Sequence, residues 1–390
     1  MERTVQAIFR AHFEAYAKAH RLPLHQRRAG WAIIHCRTAV LGGHIQGCPE
    51  GHVEGVWYNS CKHRACPQCN QIQIERWLEF QQARLLGCAH HHLIFTLPHP
   101  LNPLWSFNRG VMTDLLFQAV GDTLRELTGD PKYLGAEPGF VLTLHTWGRS
   151  LCFHPHIHCL ITAGGWEGAG QWVSPRRKCF LPAPVVMAVF RGKFLAYLRR
   201  AEEADELRLP QDLPPVRLKR LLKKLKGLKW NVRVSARYLH GAGVVKYLAR
   251  YVRGGPLKNS QILKVTDTQV TYRYYDHEAG TSTELTVSCA EFLRRYLAHV
   301  PEHRQQVVRS FGLYAHTKTA VLTLARASHD QPPVERPVFL TWQAYYARLT
   351  GTPERFTCPQ CGAPLVPRAP LPRRVHDPPL PLFASRRLYA

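Results

Sequence analysis

The sequence predicts an α+β chain, and three observations carry that prediction. Strand-like runs rich in β-branched and aromatic residues interleave with amphipathic helical stretches. A Cys- and His-rich segment over residues 44–70 is too short to build a core of its own and reads as a metal-stapled module. The 390 residues are 45% hydrophobic with nine Trp, which supplies a sizeable core and, by length, two or three domains. A disordered or collagenous chain is excluded. No run approaches the roughly 18 apolar residues of a membrane span, and the N-terminus lacks a basic cap followed by an apolar run. The expectation is a soluble, unexported, cytoplasmic protein with no membrane partner. Fifty-two Lys and Arg against twenty-seven Asp and Glu leave a formal charge of +25, a field that draws polyanions and makes nucleic acid the leading partner. Several of the twelve Cys sit in CxxC spacing, which without an export signal favours metal over disulfides.

In chain order, Val5, Ile8, Phe9, Phe13 and Tyr16 fall near helical spacing, and a second apolar run from Trp31 to Leu41 stops at Gly42 and Gly43. After the Cys-rich segment, IQIERWLEFQQARLL is helical in pattern. Three β-rich stretches follow, at His92–Leu97, Phe140–Thr146 and residues 153–163, with amphipathic helical sequence between the first two. Residues 217–229 carry seven Lys or Arg and no acid, and Leu218, Leu221, Leu222 and Leu225 form one stripe. This is a basic amphipathic helix whose Lys219, Arg220, Lys223 and Lys224 are candidate DNA contacts. Beyond GGP at 254–256, alternation in QVTYRYYD and TELTVSC predicts paired strands, and EFLRRYLAHV a helix. From Ala363 the chain holds seven Pro in 28 residues, which predicts a mobile basic tail.

The strongest single signal is His154-Pro-His156-Ile-His158, a pattern expected by chance only about 0.07 times in a chain with this His content. On a strand, residues i and i+2 share a face roughly 6.6 Å apart, so two imidazoles can converge on one cation, whereas the outer pair of three is too far apart. Pro155 cannot donate to a ladder and marks a strand start or edge, which makes His156 and His158 the better pair. His145 and His92 are candidates for a third ligand. Buried or surface His without metal is the plainer alternative.

Tyr247 and Tyr251 stand one helical turn apart and can address one site. The spacing alone fits an aromatic stripe. Lys246, Arg250 and Arg253 surround the pair with positive charge, and Gly254-Gly255-Pro256 ends the helix, a setting suited to phosphate. A phenol with a pKa near 10 needs a base, or an electrophile activated by metal, to act as a nucleophile at neutral pH. In the Cys-rich module, Cys48 and His52 followed by Cys66 and Cys69 form two ligand pairs for zinc, with Cys61 and His63 as spares. His52-Val-Glu54 with a downstream CxxC approaches a zinc deaminase signature, but Ala65 stands where Pro is needed and the gap is too short. Cys358 and Cys361 are half a site: a second knuckle, a ligand pair for the first module, or thiols.

The order of motifs, a Cys-rich module after CRTAVLGGH, then IFTLPHPLNPL, HPHIHCLI and KYLARYVRGGP, resembles the two-tyrosine HUH class of rolling-circle insertion-sequence transposases, the family numbered ninety-one. The resemblance runs from about residue 4 to about residue 345. It departs where CPEGH replaces the family's CxxCG knuckle, with Gly51 at the second Cys and His52 as its substitute, and where SCKHRACPQC replaces SCRNRHCPKC.

The resemblance implies an HUH endonuclease domain with an antiparallel sheet core and flanking helices, a small N-terminal zinc-binding module and helical additions. The expected division is N-terminal helices over 1–43, zinc module over 44–72 and nuclease domain over 85–255 with a basic insertion at about 205–232; a strand and helix extension over 256–345 and a Cys pair with Pro-rich tail over 346–390 follow. It also implies that Tyr247 or Tyr251 attacks DNA to give a 5′-phosphotyrosine and that His156 and His158 hold Mg²⁺ or Mn²⁺, with His145, from the strand reading, as the candidate third ligand; Cys48, His52, Cys61, Cys66 and Cys69 are the expected zinc ligands. Single-stranded or hairpin element ends and target DNA are the expected partners, in a bacterial, nucleoid-associated setting, with an oligomer left open. A plasmid-type replication initiator or relaxase, and a non-catalytic zinc DNA-binding protein, are the alternatives.

Overall fold

Strict alternation in three neighbouring segments sets the architecture. The computed structural model describes residues 2–374 apart from 149, 169, 176–179, 236, 240, 244, 246–254, 277–279 and 353–355. From the N-terminus run helices α1 (Val5–Ala19) and α2 (Leu24–His35), strands β1 (Gly43–Gly47) and β2 (Glu54–Tyr58), and helix α3 (Gln71–Arg84). Then come β3 (His90–Thr96), α4 (Asn102–Phe107), α5 (Arg109–Gly129), β4 (Gly139–Trp147), β5 (Phe153–Thr162) and the short pair β6 (Gly165–Trp166) and β7 (Trp172–Val173). Helices α6 (Ala183–Glu203) and α7 (Pro215–Gly227) lead to β8 (Val232–Val234). The remainder comprises β9 (Ile262–Val265), β10 (Gln269–Asp276), β11 (Thr281–Ser288), α8 (Cys289–Ala298), β12 (Val308–Gly312), α9 (Thr319–Ala327), α10 (Trp342–Thr350) and β13 (Val366–Leu371).

The central sheet is five-stranded and antiparallel, in the order β12-β4-β5-β3-β8. One face is apolar: Leu93 and Phe95, Leu142 and Leu144, Ile157, Cys159 and Ile161 are all buried in one core. Helices α5 and α6 cover it with Leu116, Phe117, Val120, Phe190, Phe194 and Leu198. Phe190 and Phe194 meet the buried Trp230 at ring separations of 5.5 and 5.7 Å. Each such fully buried side chain contributes about 1.5–3 kcal/mol. The basic helix forms as expected: in α7, Leu218, Leu222 and Leu225 turn into this core, and Pro215 suits its first turn.

The opposite face carries the His residues and is covered by α3, whose Ile74 and Leu78 pack with Leu160 of β5 and with Val245. Pro155 lies near the start of β5, where the β4–β5 register shifts between His145 and Trp147. That irregularity absorbs the missing N–H in a strand that is otherwise central.

The segment expected as a separate C-terminal extension divides between two places. Strand β12 joins the edge of the central sheet, while α8 and the β9–β10–β11 sheet pack on α1 and α2. The cause is amphipathic: Phe292, Leu293, Tyr296 and Leu297 of α8 need cover, and Ile8, Phe9 and Phe13 of α1 provide it. Phe9 meets Tyr296 edge-on at 5.4 Å, and Ser288 caps α8 by accepting from the Glu291 N–H. The tail also departs from expectation. Residues 366–371 pair with β1, so a three-stranded sheet β13-β1-β2 joins the two ends of the chain. Pro367 and Pro370 are tolerated because β13 is an edge strand. Among the described residues no helix is long and apolar enough to cross a membrane.

His299, just past α8, is wholly buried between the two halves, with Nδ1 3.2 Å from the Thr146 hydroxyl and Nε2 3.2 Å from the Leu151 carbonyl. Burial pushes its pKa down to about 3. The unfolded chain titrates near 6.5 and therefore binds a proton that the folded chain refuses, so stability is complete above that value and falls as the pH drops toward 3. Denaturant titrations at pH 8 and pH 5 should show a loss about 2 kcal/mol smaller in His299→Gln than in the parent; equal losses would mean that His299 titrates normally in the fold.

Candidate active site and metal centres

The β-sheet register builds the first cluster. His145 of β4 lies directly across from His156 of β5, and Thr143 across from His158. Because His156 and His158 are two residues apart, all three imidazoles share the face opposite the apolar core. Their ligand nitrogens lie within 4.8 Å of one another, and the Nε2 atoms of His156 and His158 are 3.1 Å apart. His156 Nδ1 donates to the His154 carbonyl at 2.6 Å, which fixes its tautomer and leaves Nε2 as the electron-pair donor. His158 Nδ1 is 2.8 Å from His92 Nε2, so the second third-ligand candidate supports His158 from behind. His154 is paired instead with His99 at 2.9 Å, at the exposed end of the row.

Burial pushes His145 and His158 well below the ordinary imidazole range and His156 down to about 4, with the neighbouring His residues adding to the effect. Neutral imidazoles at neutral pH are the state that binds metal. The three converging nitrogens therefore fit a divalent cation. Trp147 stacks on His145 at 5.4 Å and forms one wall beside the cluster.

Tyr247 and Tyr251, with Lys246, Arg250 and Arg253, lie outside the described residues. The chain that leads to them is described: the Val245 N–H donates to the Gly241 carbonyl at 3.0 Å, a helical bond, and Val245 is buried against Leu160, two residues from His158. On the far side, Gly255 is held where a Cβ would come within 2.5 Å of the Tyr296 hydroxyl. The basic helix bearing Lys219, Arg220, Lys223 and Lys224 lies on the other, apolar side of the sheet.

The cysteines separate into two quartets instead of one module. Cys36, Cys61, Cys66 and Cys69 converge, with Cys61 and Cys69 sulfurs 3.6 Å apart. Cys48 and His52 converge with Cys358 and Cys361: Cys48 Sγ is 3.5 Å from Cys361 Sγ and 3.6 Å from His52 Nδ1, which is 3.8 Å from Cys358 Sγ. A tetrahedral zinc with bonds of about 2.3 Å to sulfur and 2.0 Å to nitrogen has edges of about 3.5–3.8 Å, so both quartets fit zinc. The expected grouping of Cys48 and His52 with Cys61, Cys66 and Cys69 is corrected on geometry. Cys48 and His52 sit at the β1–β2 turn, while the 61–69 loop folds back to Cys36 at the end of α2. His63 stays outside both quartets, its Nδ1 accepting from the Ala65 N–H at 3.2 Å.

Local structure explains each quartet. Gln6 donates to the carbonyls of Ile33 and Cys36, at 2.9 and 2.8 Å, and so holds the end of α2 in place. The Tyr296 hydroxyl donates to the Ala65 carbonyl at 2.6 Å, fixing the loop that carries Cys61, Cys66 and Cys69 onto α8. In the second quartet Gly51 and Gly362 both adopt positive φ, +77° and +72°, and close the tight turns after Cys48 and Cys358. Gly51 therefore serves the turn where a Cys was expected, and Cys361 supplies the sulfur from the other end of the chain. Cys36, which has no CxxC partner, was missed by sequence reasoning, whereas Cys358 and Cys361 as a ligand pair for the N-terminal module was one of three alternatives, 313 residues separating Cys48 from Cys361.

Comparison with known proteins finds relatives over most of the chain. A family model described as "Transposase zinc-binding domain" matches residues 8–97, and one described as "Putative transposase" matches residues 139–320. The chain is 34% identical to "Putative transposase y4qJ" of Sinorhizobium fredii over 368 residues, covering 92% of both chains. It is 30% identical over 293 residues to "Transposase for insertion sequence element IS801" of Pseudomonas savastanoi pv. phaseolicola, covering 73% of this chain and 68% of that one. No solved structure matches.

Metal analysis of the purified chain should find two zinc ions. Cys36→Ser and Cys361→Ser should each leave one, and Cys36→Ser should lower the melting temperature further because its quartet is buried in the core with Tyr296. One zinc in the parent chain, unchanged in Cys361→Ser, would remove the C-terminal pair from the ligand set.

Proposed function

Because the chain belongs to the insertion-sequence-91 family of transposases, enzymes that act on DNA, we propose that it nicks and rejoins single-stranded DNA at the ends of an insertion sequence through 5′-phosphotyrosine intermediates, driving rolling-circle transposition. The observation that carries this reading is the convergence of His145, His156 and His158 on one sheet face, with Val245 packed beside Leu160 on that face. Tyr247 follows Val245 by two residues in the sequence, and Tyr251 by six.

In the proposed step the phenolic oxygen of Tyr247 or Tyr251 attacks the scissile phosphorus. A phosphorus–oxygen bond forms to the tyrosine while the bond to the 3′ oxygen breaks; that oxygen takes up a proton and leaves as a 3′-hydroxyl. A later 3′-hydroxyl attacks the phosphotyrosine, releases the phenol and restores a phosphodiester, so no nucleotide cofactor is consumed. Two tyrosines allow two covalent events in turn, which suits cutting donor and target strands before joining them. When bound by His156 and His158 with His145, Mg²⁺ or Mn²⁺ supplies Lewis-acid polarisation of the phosphate and offsets charge in the transition state. The chain's own part is to hold those imidazoles neutral and oriented, through the His154 carbonyl and His92. Lys246, Arg250 and Arg253 neutralise phosphate beside the tyrosines, and the α7 lysines and arginine grip the backbone away from the reacting strand.

The test is a labelled single strand carrying an element end, incubated with the purified chain and Mg²⁺, then resolved under denaturing conditions. A covalent adduct on the 5′ side of the break, mapping to Tyr247 or Tyr251, is expected. It should vanish in the Tyr247→Phe/Tyr251→Phe double variant and fall at least about a hundredfold in His156→Ala/His158→Ala. Cleavage that survives the double tyrosine change would overturn the mechanism.

A further inference from the structure

Strand β12 forms one edge of the central sheet, and among the described residues its outer side has no strand partner. Helix α3 runs opposite that edge, and between them lies a cleft of about 920 Å³. Arg64, Arg76, Arg309 and Arg336 line it together with Trp77 and Phe80, and no Asp or Glu is among its described lining residues. The acidic side of α3 is engaged elsewhere, for Arg348 of α10 bonds Glu79 at 2.9 Å and lies 3.5 Å from Glu75. Each arginine comes from a different support: Arg64 from the loop held by the Cys36 quartet, Arg76 from α3, Arg309 from β12, and Arg336 from the stretch before α10.

One of these guanidinium groups has an unmet donor: Arg76 Nε is buried with no hydrogen-bond partner among the described residues, whereas the Arg309 guanidinium is ion-paired with Asp114. Arg76 lies over the rings of Phe339 and Tyr345, at 5.7 and 5.4 Å, and Arg309 over Phe117 at 4.4 Å. Packing has thus fixed the Arg76 cation in the α3 wall with a donor unmatched, while Arg309 brings a charge already shared with Asp114. A phosphodiester supplies the acceptor that Arg76 lacks, and the partly exposed rings of Trp77 and Phe80 supply stacking surface for unpaired bases. The cleft also leads somewhere: it shares Arg64, Gln305 and Val307 with a smaller hollow that reaches Trp147, the ring stacked on His145.

We propose that this cleft is a binding track for single-stranded DNA, which delivers the strand along the β12 edge to the His face. The occupant's identity rests on the strand chemistry proposed above, whereas binding is measurable without any cleavage. The probes are fluorescein-labelled oligo(dT) and a duplex of equal length, titrated by anisotropy into the full zinc-loaded chain with no added Mg²⁺ or Mn²⁺, at several salt concentrations. Arg76→Gln/Arg336→Gln should weaken oligo(dT) binding by about tenfold or more and lower the salt slope by about 1.4, the share of two phosphate contacts on a single strand. Arg336→Ala alone, at an exposed position, should move both quantities in the same direction without a change in zinc content. Bromodeoxyuridine in the strand should crosslink to Trp77 or Phe80. An affinity and slope equal to those of the parent, or an equal loss on duplex, would overturn the assignment. Cleft-dependent oligo(dT) binding by a chain that forms no tyrosine adduct would uphold it and sink the nicking reaction instead.

Discussion

Register between β3, β5 and β4 is the constraint on which the rest depends. Side chains alternate across a strand, so a slip of one residue in any of these three would bury the imidazoles in the Phe and Leu core and turn that core to the other face. The apolar side, with Phe95, Leu142 and Ile157, is what forbids the slip. Core burial thus holds His145 opposite His156 and lets residues from two strands act as one ligand set. The cost of gathering neutral imidazoles is met by the fold, and burial keeps them unprotonated, the state in which imidazole can bind a cation.

The cysteine quartets perform a different service. The Cys36 quartet locks a loop that has little apolar content, and Tyr296 ties that loop to α8, so the N-terminal helices, the metal loop and a late helix form one core. Arg64, three residues after Cys61 within the same loop, is presented to the β12 edge as a consequence. The second quartet does for the chain ends what the first does for the loop: β13 pairs with β1 where the Cys358 turn meets Cys48. Arg368 reinforces this by donating to the Cys48 and Pro49 carbonyls. Zinc in the first quartet would therefore set where Arg64 stands as well as contribute to stability.

Much of this was legible in the sequence where the signal is local. The HxHxH row, its strand and its face follow from a period of two, and α7 follows from its leucine stripe. His145 was within reach because it sits on the neighbouring strand of a hairpin-like pair. Long-range closure was legible only in part: Cys358 and Cys361 stood out as half a site, with nothing to join them to Cys48 and His52 in particular. Cys36 looks like an ordinary helix-end cysteine, and the Pro-rich stretch after Ala363 has the composition of a tail, yet Val366–Leu371 meets the requirements of an edge strand. The β12 cleft was hidden for the same reason, since its arginines come from four separate segments and no spacing links them.

The His face itself is tested most directly by Mn²⁺ bound to the zinc-loaded chain and observed by pulsed electron paramagnetic resonance, which reads nitrogen nuclei next to the ion. Imidazole nitrogen couplings are expected in the parent chain and in Tyr247→Phe, and should disappear in His156→Ala/His158→Ala. Bound Mn²⁺ without nitrogen coupling, or with coupling unchanged in the double His variant, would contradict the assignment of this sheet face as the divalent metal site.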